Sequence, residues 1–270
     1  MMAIAIVAED SLGEAVVQRF VDRKLAGGVS GIDGGNIEWF RRFVTGDEVG
    51  SWRCKSLGAR LKTPQGWGRG RVPSVTLGHF GGEPGGLDAR MHRRFFHFFQ
   101  TEPVWDEDDR ERVLVIARDE DKVGAERHEG FKQAYSHFKK AYPEADRRFA
   151  VILALAKPEI ESWALAGYEI ENDDEKTKLK GIRKDLGFDP TLKGERLTAR
   201  NPKEDTKDAK RVFEVLTAGD SGRADRCLDA DFSRLRERGK EIGLANFLDQ
   251  LEVKVVHKLA GGRPPSRGPS

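Results

Sequence analysis

Acidic residues gather at three points where an apolar run ends. Glu9 and Asp10 follow "AIAIVA" (3–8), Asp119, Glu120 and Asp121 follow "RVLVIA" (112–117), and Glu159 and Glu161 follow "RFAVILALA" (148–156). Side chains two apart on an extended segment point the same way, so Asp119 and Asp121 can share an ion while Glu120 turns aside. Carboxylates crowded together repel and raise one another's pKa unless a cation neutralises them. Hard oxygen donors of this kind suit Mg²⁺ or Mn²⁺, which keep several waters and engage substrate phosphates. Such an ion polarises a phosphodiester and activates water for in-line attack. Each group also has a plainer reading. Glu159 and Glu161 suit the positive end of a helix dipole, "RDED" suits a solvated turn, and Glu14 suits an exposed helix face. The recurrence of acids at three run ends, rather than any one motif, raises the metal reading. Other chemistries lack their residues. The six His show no HExxH spacing, and neither a GxxxxGK[ST] phosphate loop nor a GxSxG elbow is present.

The elements that must position these acids follow from the same runs. All three are continuous rather than alternating and rich in β-branched residues, as strands covered on both faces are. Helical spacing follows each: Leu12, Ala15, Val16 and Phe20; then Phe131, Ala134, Tyr135 and Phe138; then Ile160, Trp163 and Ala164, with Pro158 expected in the first helical turn. Repeated strand–helix units predict an α/β layer with a mostly parallel sheet flanked by helices. Functional groups of such sheets collect beyond the carboxyl ends of the strands, where these acids fall. "NIEWFRRFV" (36–44) reads as a helix. "KDAKRVFEVL" (207–216) and "LANFLDQLEVKVVHKL" (244–259) have amphipathic helical spacing. The expected organisation is a catalytic domain over 1–167 carrying an insert at about 45–86, a helical C-terminal region over 168–260, and a disordered tail over 261–270.

The insert is rich in Gly, and from Trp52 to Gly82 it holds Arg53, Lys55, Arg60, Lys62, Arg69 and Arg71 without one acidic residue. It suits either a path for a nucleic-acid backbone, with Trp52 and Trp67 available for base stacking, or a surface loop. Over the whole chain 47 basic residues nearly cancel 45 acidic ones, so any affinity for nucleic acid must come from such a local patch. Cys54 and Cys227 stand too far apart in sequence and too few for a disulfide framework or a four-cysteine zinc site. The N-terminal apolar run is short and lacks a basic leader, and no stretch approaches the roughly 20 residues of a membrane span. A cytoplasmic protein is expected, with no membrane partner.

"AEDSLGEAV" (8–16), the DxD of Asp119 and Asp121, and "AKPEIESWALAG" (156–167) together resemble the TOPRIM-type fold. That Rossmannoid fold is shared by topoisomerases, primases and the overcoming-lysogenization-defect (OLD-type) nucleases. The chain is most similar to a functionally uncharacterised bacterial family of TOPRIM-like proteins related to those nucleases. The resemblance covers most of residues 1–167, and "NPKE" (201–204) extends it weakly. It implies that Glu9 is the TOPRIM glutamate, a metal ligand or acid/base group, and that Asp119 and Asp121 are the metal-binding pair. Glu161 and Glu159 match the glutamates of the EAW-like segment and complete a second ion site. Lys157 stands where relatives often carry Arg, and is implied to stabilise phosphate charge in catalysis. The start departs from the commoner "EGxxE", with no Gly after Glu9 and Glu14 one residue further on, and the basic insert has no counterpart.

The resemblance implies a Mg²⁺- or Mn²⁺-dependent nuclease acting on nucleic acid, DNA rather than RNA, in anti-phage defence beside an ABC-like ATPase. The chain lacks a nucleotide-binding loop of its own, and a homo-oligomer is compatible with this reading. The alternative is a non-catalytic TOPRIM-like interaction or sensor subunit of an ATPase-containing complex. Topoisomerase-like strand transfer needs a nucleophilic Tyr. Tyr135, Tyr142 and Tyr168 are the three present, and none lies in a recognisable DNA-cleavage segment.

Overall fold

Strand β1, Met2–Ala8, is apolar and buried at every position, which places it inside a sheet covered on both sides. Four further strands pair around it in a computed structural model that describes residues 1–44, 52–53, 86–120, 125–199 and 206–261. They are β2 (Arg41–Val44), β3 (Trp52–Arg53), β4 (Glu111–Asp119) and β5 (Ala150–Ala156). The order is β2-β1-β4-β5, with β3 also paired to β1, and every pairing is parallel. The register sets Ala8 opposite Ala117 and Asp119 opposite Ala156, so the three expected strands end side by side.

Alternate residues of β1 enter different cores, as the two-residue period requires. Met2, Ile4, Ile6 and Ala8 face one layer of helices, and Ala3, Ala5 and Val7 face the other. The second layer is α2 (Gly86–Thr101) and α3 (Ala125–Ala141), joined through aromatic contacts such as Phe96 on Phe138, 5.1 Å apart. The first layer contains α1 (Ser11–Gly28) and the C-terminal helices. Those are α4 (Glu161–Gly167), α5 (Asp173–Leu186), α6 (Ala209–Thr217), α7 (Ser221–Leu228), α8 (Phe232–Arg238) and α9 (Leu244–Leu251). A π-helical turn, Glu252–Val256, carries α9 on into α10 (His257–Leu259).

The C-terminal helices therefore share a core with the sheet across position 167. Trp163, wholly buried, stacks on Phe247 at 5.1 Å, and its indole N–H donates to the Ile242 carbonyl at 2.8 Å. Gly167 lies against α7 so closely that a Cβ there would sit 1.8 Å from the Cys227 carbonyl oxygen. A buried ion pair ties α5 to α7, with Arg223 Nε 2.7 Å from Glu175 Oε1.

Two local expectations are corrected. Residues 36–44 form a single 3₁₀ turn, Ile37–Trp39, followed by β2 rather than a helix. Met2 N donates to Phe40 O at 2.9 Å, and Arg41 to Val44 then pair with Met2 to Ala5, so the open edge of β1 overrides a weak helical spacing. Pro158 precedes the next helix rather than opening it, because α4 begins at Glu161. The intervening turn is held from the neighbouring strand, where Asp119 Oδ1 accepts from Ile160 N at 2.9 Å. The expected tail at 261–270 falls outside the described residues apart from Gly261. Among the described residues no helix is long and apolar enough to cross a membrane.

Candidate functional site at the strand ends

Glu9 leaves β1 at the level of Arg118, the penultimate residue of β4. A guanidinium at that place is nearly buried and must be paired. Arg118 Nε lies 2.6 Å from Glu9 Oε1, and its Nη2 lies 3.1 Å from Asp88 Oδ1 in the first turn of α2. From the first turn of α3, Arg127 Nη1 comes within 3.1 Å of the same Glu9 oxygen and also donates to the Asp119 carbonyl. One carboxylate oxygen thus receives two guanidinium groups, and one of those guanidiniums joins the ends of β1 and β4.

The third strand end is tied in through backbone and side chain. Glu120 N donates to Ala156 O at 2.7 Å, and Asp119 Oδ1 holds the Ile160 amide, so β4 reaches the turn that carries Glu159 and Glu161. Glu120 turns toward Lys157, with Oε1 3.7 Å from its Nζ. His92 of α2 is buried behind this rim, and neither ring nitrogen has a hydrogen-bond partner. Burial, with the nearby charges of Arg118 and Arg127, pushes its imidazole down to about 3, so it is neutral at physiological pH.

Glu161 belongs to different surroundings. Burial raises its carboxyl above the usual range, and Asp10 and Asp208 add to the rise while Lys210 opposes it. It lines a cleft of about 120 Å³ between α1, α4, α6 and α7. Asp10 caps α1 by accepting from Gly13 N at 2.8 Å, and Asp208 caps α6 by accepting from Arg211 N at 2.7 Å. The expected carboxylates therefore divide. Glu9 and the main-chain carbonyl of Asp119 meet through Arg127, whereas the Asp119 carboxylate turns to the Ile160 amide and Glu161 lies with Asp10 and Asp208 on the α1 side. Glu159 lies in the turn between β5 and α4, where its carbonyl accepts from Ser162 N at 3.0 Å.

Asp121 lies outside the described residues, as do Lys55, Arg60, Lys62, Trp67, Arg69 and Arg71. The backbone of Arg53 is described, and it pairs with Ala8, directly before Glu9. Among the described residues no group of three or more His, Cys, Asp or Glu side chains is arranged to hold a metal ion. Glu9 and Asp119 supply hard oxygen donors of the right chemistry for Mg²⁺ or Mn²⁺. Glu9 Oε1 is engaged by two arginines and Asp119 Oδ1 by an amide, so these two residues alone do not complete a site.

The sequence pattern does not single out Arg118, Arg127, Asp88 or His92. Arg118 carries the one available signal: a cation one residue beyond a wholly apolar strand core needs an acidic partner. The contact of Arg127 with Glu9 spans 118 residues of sequence and leaves no local trace. Comparison with protein-family models, with curated proteins and with solved structures finds no match to this chain.

Proposed function

We propose that this chain is a TOPRIM-like, divalent-metal-dependent nuclease that hydrolyses phosphodiester bonds of nucleic acid, DNA rather than RNA, at the rim formed by β1, β4 and β5. The observation that carries the reading is the approach of the Glu9 carboxylate and the main-chain carbonyl of Asp119, at the end of β4, to one cationic point, the Nη1 of Arg127. In this reading Glu9, Asp119 and Asp121 provide carboxylates for Mg²⁺ or Mn²⁺, and Glu159 stands on the adjoining turn. A bound divalent ion supplies Lewis-acid polarisation of the phosphoryl oxygen and a more acidic water. Glu9 takes up the proton of the attacking water, while Lys157, partly exposed at the same rim, neutralises developing phosphate charge. The basic residues from Arg53 to Arg71 contact the nucleic-acid backbone.

The test is cleavage of supercoiled and single-stranded DNA, and of RNA, with Mg²⁺ and with Mn²⁺. Asp119→Ala is expected to abolish it. Absence of cleavage of every substrate with either ion overturns the reading. A second reading then takes over, a non-catalytic interaction or sensor subunit working with an ABC-like ATPase in anti-phage defence. It is favoured by one observation: Arg118 and Arg127 already neutralise Glu9 without a metal. Unchanged cellular protection by Glu9→Ala and Asp119→Ala, with an ATPase co-purifying, is its expected result.

A further inference from the structure

The cleft beside Glu161 opens on the α1 side of the sheet, away from the Arg118–Glu9–Arg127 cluster. Leu12 and Val16 of α1, Ala164 of α4, Phe213 of α6 and Leu228 of α7 make it largely apolar, and the Glu161 side chain enters its lining. Its volume, about 120 Å³, approaches that of an apolar cavity known to take benzene, about 150 Å³. Glu161 is buried, and its carboxylate takes a hydrogen bond from its own backbone amide. Among the described residues no cation forms an ion pair with it; Lys210, which acts on it electrostatically, is itself exposed.

A buried carboxylate lacking a cation is held ionised at a cost, which is why burial raises the Glu161 carboxyl; a cation entering the cleft removes that cost. The surrounding charge favours such a cation. Asp10 precedes α1 and Asp208 precedes α6, and the negative charge of both is felt at Glu161. Arg19, the cation in the lining, is committed to Asp225 at 3.1 Å and to Asp229. A hydrated Mg²⁺ ion is a poor match, because it demands six oxygen positions and the walls here are mostly hydrocarbon. A primary ammonium on a short alkyl chain matches both parts: the charged end pairs with Glu161, and the chain covers the apolar wall.

We propose that this cleft binds a small primary alkylammonium compound, with Glu161 as its counter-ion. The site lies on the opposite side of the sheet from Glu9, touches the rim at Ile160, and does not depend on nuclease activity.

The test uses n-butylammonium chloride at constant ionic strength, with n-butanol as the uncharged isostere, followed by amide chemical shifts of the full chain. Saturable shifts at Ala164 and Ala224 are expected for the amine, with binding about tenfold weaker for butanol. Glu161→Gln, which keeps shape and removes charge, is expected to bring the amine down to the level of the alcohol. Lys210→Met, which removes the competing cation from outside the cleft, is expected to tighten amine binding. Ala224→Leu, which fills the cleft from α7, is expected to abolish shifts from both ligands. Equal binding of amine and alcohol, unchanged amine affinity in Glu161→Gln, or amine shifts that persist in Ala224→Leu each overturn the proposal.

Discussion

Arg127 Nη1 stands 3.1 Å from Glu9 Oε1 while the same nitrogen donates to the carbonyl of Asp119, so one guanidinium joins two strand ends. Arg118 meets the same glutamate oxygen from within the sheet at 2.6 Å and alone extends to Asp88. The two arginines are not equivalent supports. Removing Arg127 leaves Glu9 paired with Arg118, whereas removing Arg118 strips Asp88 of this partner and weakens the neutralisation of Glu9. Arg118→Met is expected to cost about 2–3 kcal/mol, below the 3–5 kcal/mol typical of a fully buried broken pair, and Arg127→Met about 1 kcal/mol. Urea denaturation measures both, and the reverse order refutes the assignment.

Asp119 has a structural task as well as the proposed chemical one. Its Oδ1 takes the Ile160 N–H, and Asp119→Ala orphans that donor at about 1–3 kcal/mol. Asp119→Asn keeps an acceptor and removes the charge. The expected pattern is near-native stability with lost cleavage for Asn, and loss of both for Ala. Glu120→Ala, which gives up a partly exposed pair with Lys157 worth at most about 1 kcal/mol, is expected to retain cleavage. An active Asp119→Asn protein contradicts the proposed metal role.

The Arg223–Glu175 pair sets a pH dependence. Hydrogen bonding from Arg223 holds the Glu175 carboxyl below the usual range. A depressed folded-state pKa contributes stability that is fully present above the unfolded value and is lost as pH falls through the folded one. Glu175→Gln is therefore expected to be less stable than the parent at pH 7, by about 2–3 kcal/mol, since Arg223 keeps Glu171 within 3.4 Å. The gap is expected to close as pH drops into and below the carboxylate range. Urea midpoints measured across that range check it, and a constant gap contradicts the linkage.

Two glycine-to-alanine substitutions are expected to have opposite signs. At Gly167 the new Cβ meets the Cys227 carbonyl at 1.8 Å, and backbone cannot turn aside as a flexible side chain can. α4 must draw away from α7, at a cost of about 1–3 kcal/mol. At Gly181, within α5, nothing lies within 4 Å of the added methyl. There the better helix former is expected to stabilise by about 0.5–1 kcal/mol. Thermal unfolding of the two variants separates them, and destabilisation by Gly181→Ala refutes the α5 argument.

The strands that flank the site were the most legible part of the sequence. Burial on both faces writes itself as an unbroken apolar run, and the runs at 3–8, 112–117 and 148–156 correspond to β1, β4 and β5. β2 escaped because a four-residue edge strand owes its form to the neighbour it pairs with, and "RRFV" alone carries little preference. α2 was legible and went unread: Phe95, Phe98 and Phe99 stand three and four residues apart, as the buried face of a helix requires. Local spacing placed Glu9, Asp119 and Glu120 at strand ends, and Glu120 turns toward Lys157 there. The arginines that govern Glu9 were out of reach, since their pairing is decided by the parallel register and by α3, not by neighbours in sequence.

The pairing of Arg53 with Ala8 gives the basic insert a fixed point of departure, one residue from Glu9. Gly86 stands at the head of the helix whose Asp88 grips Arg118. Arg53 and Gly86, the described positions on either side of the basic segment, thus both belong to the rim that carries Glu9. A substitution at Glu9 that releases Arg118 therefore bears on the first turn of that helix as well as on β1.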